Sequence, residues 1–374
     1  MGELVVKKIE AKNIVWFKNS NSYLVLEPIV TKILLKINKK VSLEEIETWV
    51  IKKVDAPKNV IKKFIVDIYS LYSENNRVTK EALLDTSNYK VPTKFFSKKQ
   101  YSIKNRIFFF QFENEYLESK IHLIFAHLEV KNQTKFHFNY QVFENKNLIL
   151  FVKNKKLIGR WKKEQAHVFQ GKISMQLLID CYKKPEEDWM GVFHASAVSN
   201  GKESLLFLGD SGSGKSTSLA LLNANGFDCI ADDFVPIDNN QDAYTYPAAI
   251  SIKKKSVPTL LPFYPELDKI AEHHLKELHK IVRYLPPRNI NYDLKLKCKA
   301  LIFIKYNPEV EMEIKPISKI DAFQQLIPDS WISPIEKNAT VFLEWFLELP
   351  SYQLTYSNNS KMIETVSKIF KDEL

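Results

Sequence analysis

Residues Leu205 to Asp233 read LLFLGDSGSGKSTSLALLNANGFDCIADD, and the reading of this stretch decides the fold. An apolar run, Leu205 to Leu208, leads into Gly209-Asp210-Ser211-Gly212-Ser213-Gly214-Lys215-Ser216, followed by Thr217. That is a complete G-x-x-x-x-G-K-[ST] phosphate loop between an expected strand and an expected helix. Gly209, Gly212 and Gly214 allow backbone dihedrals closed to other residues, which lets loop N–H groups reach phosphate oxygens. A helix begun by Lys215 and Ser216 adds its positive end to the same anion hole. Lys215 is expected at the terminal phosphates of a nucleotide, and the Ser216 hydroxyl on Mg²⁺. The helix should stop at Asn225-Gly226, with glycine in the left-handed capping position.

Asp232 follows Lys215 by only 17 positions, at the end of a short expected strand. Asp232 and Asp233 are neighbours, and neighbours on a strand face opposite ways. One can hold Mg²⁺ while the other lies nearer the attacking group. Ser216 and Asp232 are the candidate metal ligands, and both carboxylates are candidates for catalysis. Which of them serves as base is left open at this level. Upstream, Gly191 to Val198 reads as one strand, and Asn200-Gly201 predicts a two-residue type I′ hairpin turn. Ser199 would then face Lys202 and His194 would face Phe207, one strand from the loop mouth. That placement makes His194 a candidate for a catalytic or metal-proximal role.

The segments H-A-S-A-V, G-D-S-G-S-G-K-S-T and A-D-D-F-V together resemble the HPr kinase/phosphorylase group and its ATP-dependent phosphoenolpyruvate carboxykinase relatives. The resemblance is specific from about Gly191 to Asp238. It implies a kinase-type phosphate loop on a mainly β core, with His194, Lys215, Ser216, Asp232 and Asp233 at the matching positions. It further implies that lysine and hydroxyl serve nucleotide and metal, and that the aspartate pair serves metal and general base. Two features depart from the pattern. Thr217 stands where an acidic residue usually follows G-K-S, and no glycine-rich segment like the one that engages HPr lies downstream. Nucleotide chemistry is therefore better supported than HPr as substrate.

The chain has 374 residues, room for two or three domains, and 45% hydrophobic residues suffice for sizeable cores. No apolar run approaches membrane-spanning length and no signal-peptide core opens the sequence. Cys181, Cys229 and Cys298 lack C-x-x-C spacing, which fits a reducing cytoplasm. The terminal Lys371-Asp372-Glu373-Leu374 matches an endoplasmic-reticulum retention signal and is read as coincidence. Most of the formal +10 charge is at one end. Residues 1–100 carry 19 Lys and Arg against 11 Asp and Glu, which suggests an acidic partner or a solvated lysine-rich face.

Residues 1–75 read as a small module. Ile14 to Phe17 and Ser22 to Leu26 predict a hairpin, followed by helices at Pro28 to Ile37, from Ser42 to Lys53, and beyond Pro57. Ser42 and Glu45 form a capping box. This pattern resembles the PqqD-like peptide-recognition domain, a winged-helix-like fold. The resemblance implies that an extended leader peptide adds as an edge strand. A basic winged helix also suits DNA as an alternative partner.

Residues 76–100 are polar and read as a linker with a short helix at Lys80 to Leu84. From Tyr101 to Val168 strands predominate, at Ile107 to Phe110, Phe136 to Phe143 and Leu148 to Val152, their aromatic density being read as sheet packing. Ser174 to Tyr182 predicts a helix. Downstream, Ile250 to Lys255, Ala300 to Lys305 and Tyr352 to Tyr356 are expected strands. Glu266 to His279, Lys319 to Leu326, Ala339 to Leu347 and Ser360 to Phe370 are expected helices. Arg288, after Pro286-Pro287, is a candidate for stabilising phosphoryl charge, with a surface salt bridge as its alternative.

The expectation is an α/β (α+β) protein with three parts: a recognition module at 1–75, a linker at 76–100, and an HPr-kinase-like catalytic domain at 101–374. Its expected function is ATP- and Mg²⁺-dependent transfer to a hydroxyl, foremost Ser or Thr of a peptide. The alternatives are a nucleotide-gated binding protein and a kinase of a small acceptor such as free serine. A monomer and an oligomer are both compatible with the sequence.

Overall fold

Ser204–Leu208 is buried along its whole length, as its unbroken apolar sequence requires, and lies inside a ten-stranded sheet. The computed structural model describes residues 4–77, 89–275, 279–288 and 290–373 and is mixed α/β. On one side of Ser204–Leu208 runs antiparallel Ser196–Ser199, which in turn pairs with Asp228–Asp232. On the other side runs Lys295–Tyr306, parallel to it. That twelve-residue strand also pairs with Asp242–Tyr244 and with Ser351–Tyr356, and so joins the two halves of the sheet. The second half continues through Val235–Asp238, Trp189–Phe193 and Ser330–Ile332.

The helix Lys215–Ala224 returns over the sheet and buries Leu219, Leu221 and Leu222 against Val198, Leu205 and Phe207. Each such side chain contributes about 1.5–3 kcal/mol when fully buried, so the helix that carries Lys215 and Ser216 is firmly seated. The opposite face belongs to a larger core that includes Phe169 and Ile173 of Ala166–Tyr182 and Phe342 and Phe346 of Glu336–Glu348.

A five-stranded sheet runs in chain order through Ser97–Ile103, Arg106–Phe112, Phe138–Asn145, Leu148–Lys153 and Lys156–Lys162. Lys146 and Asn147, with φ of 48° and 62°, close the Asn145 to Leu148 hairpin as a two-residue turn. Arg106–Phe112 pairs in parallel with Phe138–Asn145, and the crossover this requires contains the unforeseen helix Glu115–Phe125. Phe108, Phe110 and Phe151 meet Tyr140 edge to face, so the aromatic density is core packing.

Three expectations are corrected. The strand expected from Gly191 to Val198 is two strands, broken after Phe193, where Ala195 N donates to Phe193 O. The hairpin turn has four residues, with Ser199 opposite Ser204 and Ser196 opposite Phe207. A type I′ turn needs two left-handed residues, and only Gly201 is one. Asn200 instead accepts the N–H groups of Lys202 and Glu203 through its side chain. The shift of two keeps Ser196 to Ser199 on their expected faces, but Ser196 takes the place opposite Phe207 expected of His194, which lies in the break. Finally, Glu266 to His279 is not a helix. Pro265–Asp268 is a 3₁₀ turn and His273–Leu275 a strand, because pairing with Lys280–Leu285 overrides local propensity. Residues 276–278 of that range lie outside the described residues.

At the N-terminus Leu4–Ile9, Lys12–Phe17 and Ser22–Leu26 form an antiparallel sheet, followed by helices Pro28–Asn38, Leu43–Ile51 and Lys58–Asn75. Ser42 caps the second helix by accepting from Glu45 N. Val15, Phe17, Ile33, Leu34, Ile46 and Ile65 form a local core. The other sheet face turns inward: Ile9 and Ile14 enter the main core, and Tyr23 packs edge to face on Phe323 and Phe342. The helix expected at Lys80 to Leu84 lies outside the described residues. Among the described residues no helix is long and apolar enough to cross a membrane.

Candidate functional site

The phosphate loop is shaped by its glycines. Gly209 has φ +136°, and a Cβ there would stand 2.9 Å from Ile304 O on the neighbouring strand. Gly214 has φ +109°, with the Tyr356 hydroxyl 3.2 Å from the position of a Cβ. Ser213 O accepts from Tyr306 N at 2.8 Å, which ties the loop to the end of Lys295–Tyr306. Lys215 is buried, and its Nζ donates to Gly209 O at 2.5 Å, with Asp210 O at 3.4 Å. The ammonium is thus held against its own loop. Thr217 Oγ1 donates to Ser256 Oγ at 2.8 Å on the facing wall.

Asp232 ends its strand beside the first turn of the loop helix and is only 3% exposed. Its Oδ1 accepts from Ser216 Oγ at 3.0 Å and Ser196 Oγ at 2.6 Å, and its Oδ2 from Ser251 N at 3.0 Å. Burial, and then the charge of Asp233, push its pKa up from 3.8 to about 7 against the pull of those hydrogen bonds. Asp233 has left the strand. Its φ of +63° turns it out, and half of its side chain is exposed. The two carboxylates are separated as expected, through a backbone turn in place of strand alternation.

His194 sits in the break between Trp189–Phe193 and Ser196–Ser199, its Nε2 3.8 Å from Asp233 Oδ1, in ion-pair range but too far for a hydrogen bond. These residues open onto a cavity of about 1030 Å³ that also exposes Ser211, Gly212, Lys215 and Ser216. The far wall is basic, with Lys253, Lys254, Lys255 and Lys280. Lys253 Nζ donates to Ser211 Oγ at 3.1 Å. Sequence reasoning missed Lys253, Ser196 and Ser251. The strand Ile250–Lys253 was legible, but not that its polar face looks onto the loop.

Arg288 is not brought to the site. Its N donates to Asn223 Oδ1 at the far end of the loop helix, about 12 Å along the axis from Lys215. Its guanidinium lies 4.1 Å from the Tyr264 ring centre and 3.9 Å from Glu266, donating to Phe263 O. That is the surface salt bridge named as the alternative.

The donor set suits a hard cation. Ser216 Oγ and Asp232 provide oxygen ligands, and the carboxylate is buried with no cationic side chain in ion-pair range among the described residues. Among the described residues no group of three or more His, Cys, Asp or Glu forms a self-sufficient metal site. Mg²⁺, which takes one or two carboxylates and completes its shell with phosphate oxygens and water, needs no such group. In comparisons with known proteins, no family model and no curated protein matches the chain.

Proposed function

We propose that the chain is an ATP- and Mg²⁺-dependent kinase of the HPr-kinase-like type that phosphorylates a hydroxyl, with Ser or Thr of a peptide as the acceptor. The observation that carries this reading is the different setting of two adjacent carboxylates. Asp232 is buried on Ser216 at the helix end, whereas Asp233 stands half exposed in the same cavity. A nucleotide clamp needs the first carboxylate, and only chemistry on an acceptor needs the second. Ser216 and Asp232 would hold Mg²⁺, which supplies charge neutralisation on the phosphates. Lys215 binds phosphate oxygens, and Asp233 accepts the proton of the acceptor hydroxyl. The acceptor oxygen bonds to the terminal phosphorus as the bond to the ADP oxygen breaks. His194 lies where, if protonated, it pairs with the Asp233 charge.

Residues 1–75 serve in this reading as a PqqD-like, winged-helix-like recognition module and 101–374 as the catalytic part, while the linker expected at 76–100 gives way at Ser97 to the first strand of the five-stranded sheet. The outer strands Leu4–Ile9 and Ser22–Leu26 each leave an edge unpaired among the described residues, and an extended peptide can add there through main-chain hydrogen bonds. Three buried, unpaired cysteines agree with work in a reducing cytoplasm. Lys215→Ala should abolish ATP turnover while the variant still melts cooperatively. Undiminished turnover in a folded variant would refute the site.

A further inference from the structure

The wall opposite the loop holds a cation that the loop motif does not contain. Burial alternates along Ile250–Lys253, with Ile250 and Ile252 in the core beneath the loop helix and Ser251 and Lys253 on the cavity side. The bond from Ser251 N to Asp232 fixes this strand against the carboxylates. Two residues on, Lys253 reaches over the loop tip, 3.1 Å from Ser211 Oγ and 3.7 Å from where a Cβ on Gly212 would stand. Among the described residues Lys253 has no ion-pair partner, whereas neighbouring Lys254 is paired with Glu272 at 3.2 Å.

On the reading that this loop binds ATP, we propose that Lys253 is a catalytic residue that binds the terminal phosphate of the donor. It would fill the role expected of Arg288. A neutral hydroxyl is a weak partner for an ammonium, and a phosphate oxygen gives a charge-assisted bond in its place. Burial, then Lys280 and Lys215, hold the Lys253 ammonium below its ordinary pKa, with Asp233 acting the other way. A polyanion seated on the loop relieves the repulsion among these three lysines. Ser251 N, two residues before Lys253, donates to Asp232 Oδ2, and Lys253 lines the same cavity as Asp233, where an acceptor would meet the terminal phosphate by which ATP differs from ADP.

The test compares calorimetric affinities for Mg·ATP and Mg·ADP in the wild type, Lys253→Ala, Lys253→Gln and Lys253→Arg, each checked by thermal melting. Loss of one charge-assisted bond should weaken ATP by roughly ten- to a hundredfold in the Ala and Gln variants. ADP should change little, and Arg should restore most of the difference. An unchanged ATP-to-ADP affinity ratio in folded Ala and Gln variants overturns the assignment of Lys253 and leaves the kinase reading intact. A wild type that binds neither nucleotide overturns both.

Discussion

At the scale of the residue, Asp232 is a carboxylate held in a buried setting that disfavours its charge. Its folded pKa of about 7 lies above its ordinary 3.8, so its contribution to stability is fully present below about pH 4. That contribution is lost as pH rises through 7. At about 1.4 kcal/mol per pH unit of displacement, the loss amounts to a few kcal/mol. Metal-free wild type should therefore lose more melting temperature between about pH 4 and 8 than Asp232→Asn, which cannot ionise. Mg²⁺ with ATP should restore stability at the upper end in the wild type only. Equal slopes for the two proteins would show that the buried carboxylate is not strained. Lys215 and Ser216 were legible because a motif fixes them within one strand–loop–helix unit, and Asp232 because the next strand, Asp228–Asp232, follows that helix directly. Lys253 and the true place of Arg288 were not. Both depend on which strand packs against which, and nothing local to either residue encodes that.

At the scale of the element, the phosphate loop stands between two strands and a helix that leave no space for a side chain at Gly209 and little at Gly214. Gly209→Ala combines φ +136° with an approach of 2.9 Å to the backbone oxygen of Ile304. It should cost about 1–3 kcal/mol in urea denaturation, the scale of one strained backbone residue, and should weaken nucleotide binding. Gly171, inside the helix Ala166–Tyr182, is the control, since a Cβ there meets nothing within 4 Å. Gly171→Ala should stabilise by about 0.5–1 kcal/mol. A Gly209→Ala protein as stable as wild type would mean that the loop can relax. Elements with strong periodicity or caps were readable: Lys319–Leu326 runs between its expected ends, and Ser42 caps the helix foreseen for it. The Asn200 turn and the His273–Leu275 strand were not. In the first a side chain replaced a backbone conformation, and in the second a partner strand outweighed helix propensity.

At the scale of the whole molecule, the N-terminal sheet is sandwiched between its own helices and the main body. Lys7 pairs with Glu344 at 2.7 Å, and Asn21 Nδ2 donates to Ile332 O at 2.8 Å. Removal of residues 1–75 would expose Phe323 and Phe342, on which Tyr23 rests. The truncated protein should therefore melt at lower temperature or aggregate, and lose peptide and small-acceptor phosphorylation alike. A truncated protein that melts as the full chain does and still phosphorylates a free acceptor would make the module separable. The sequence showed the module's own core, but apolar residues on both faces of a three-stranded sheet do not say what covers the second face. The kinase reading is tested most directly by single-turnover transfer from terminally labelled ATP to Ser- and Thr-bearing peptides at saturating Mg²⁺, in wild type and Asp233→Asn. The wild type should label a peptide, and Asp233→Asn should bind Mg·ATP equally well yet transfer about 10²- to 10⁴-fold more slowly. Equal rates in the two proteins, or a wild type that binds Mg·ATP and labels no hydroxyl, would contradict it.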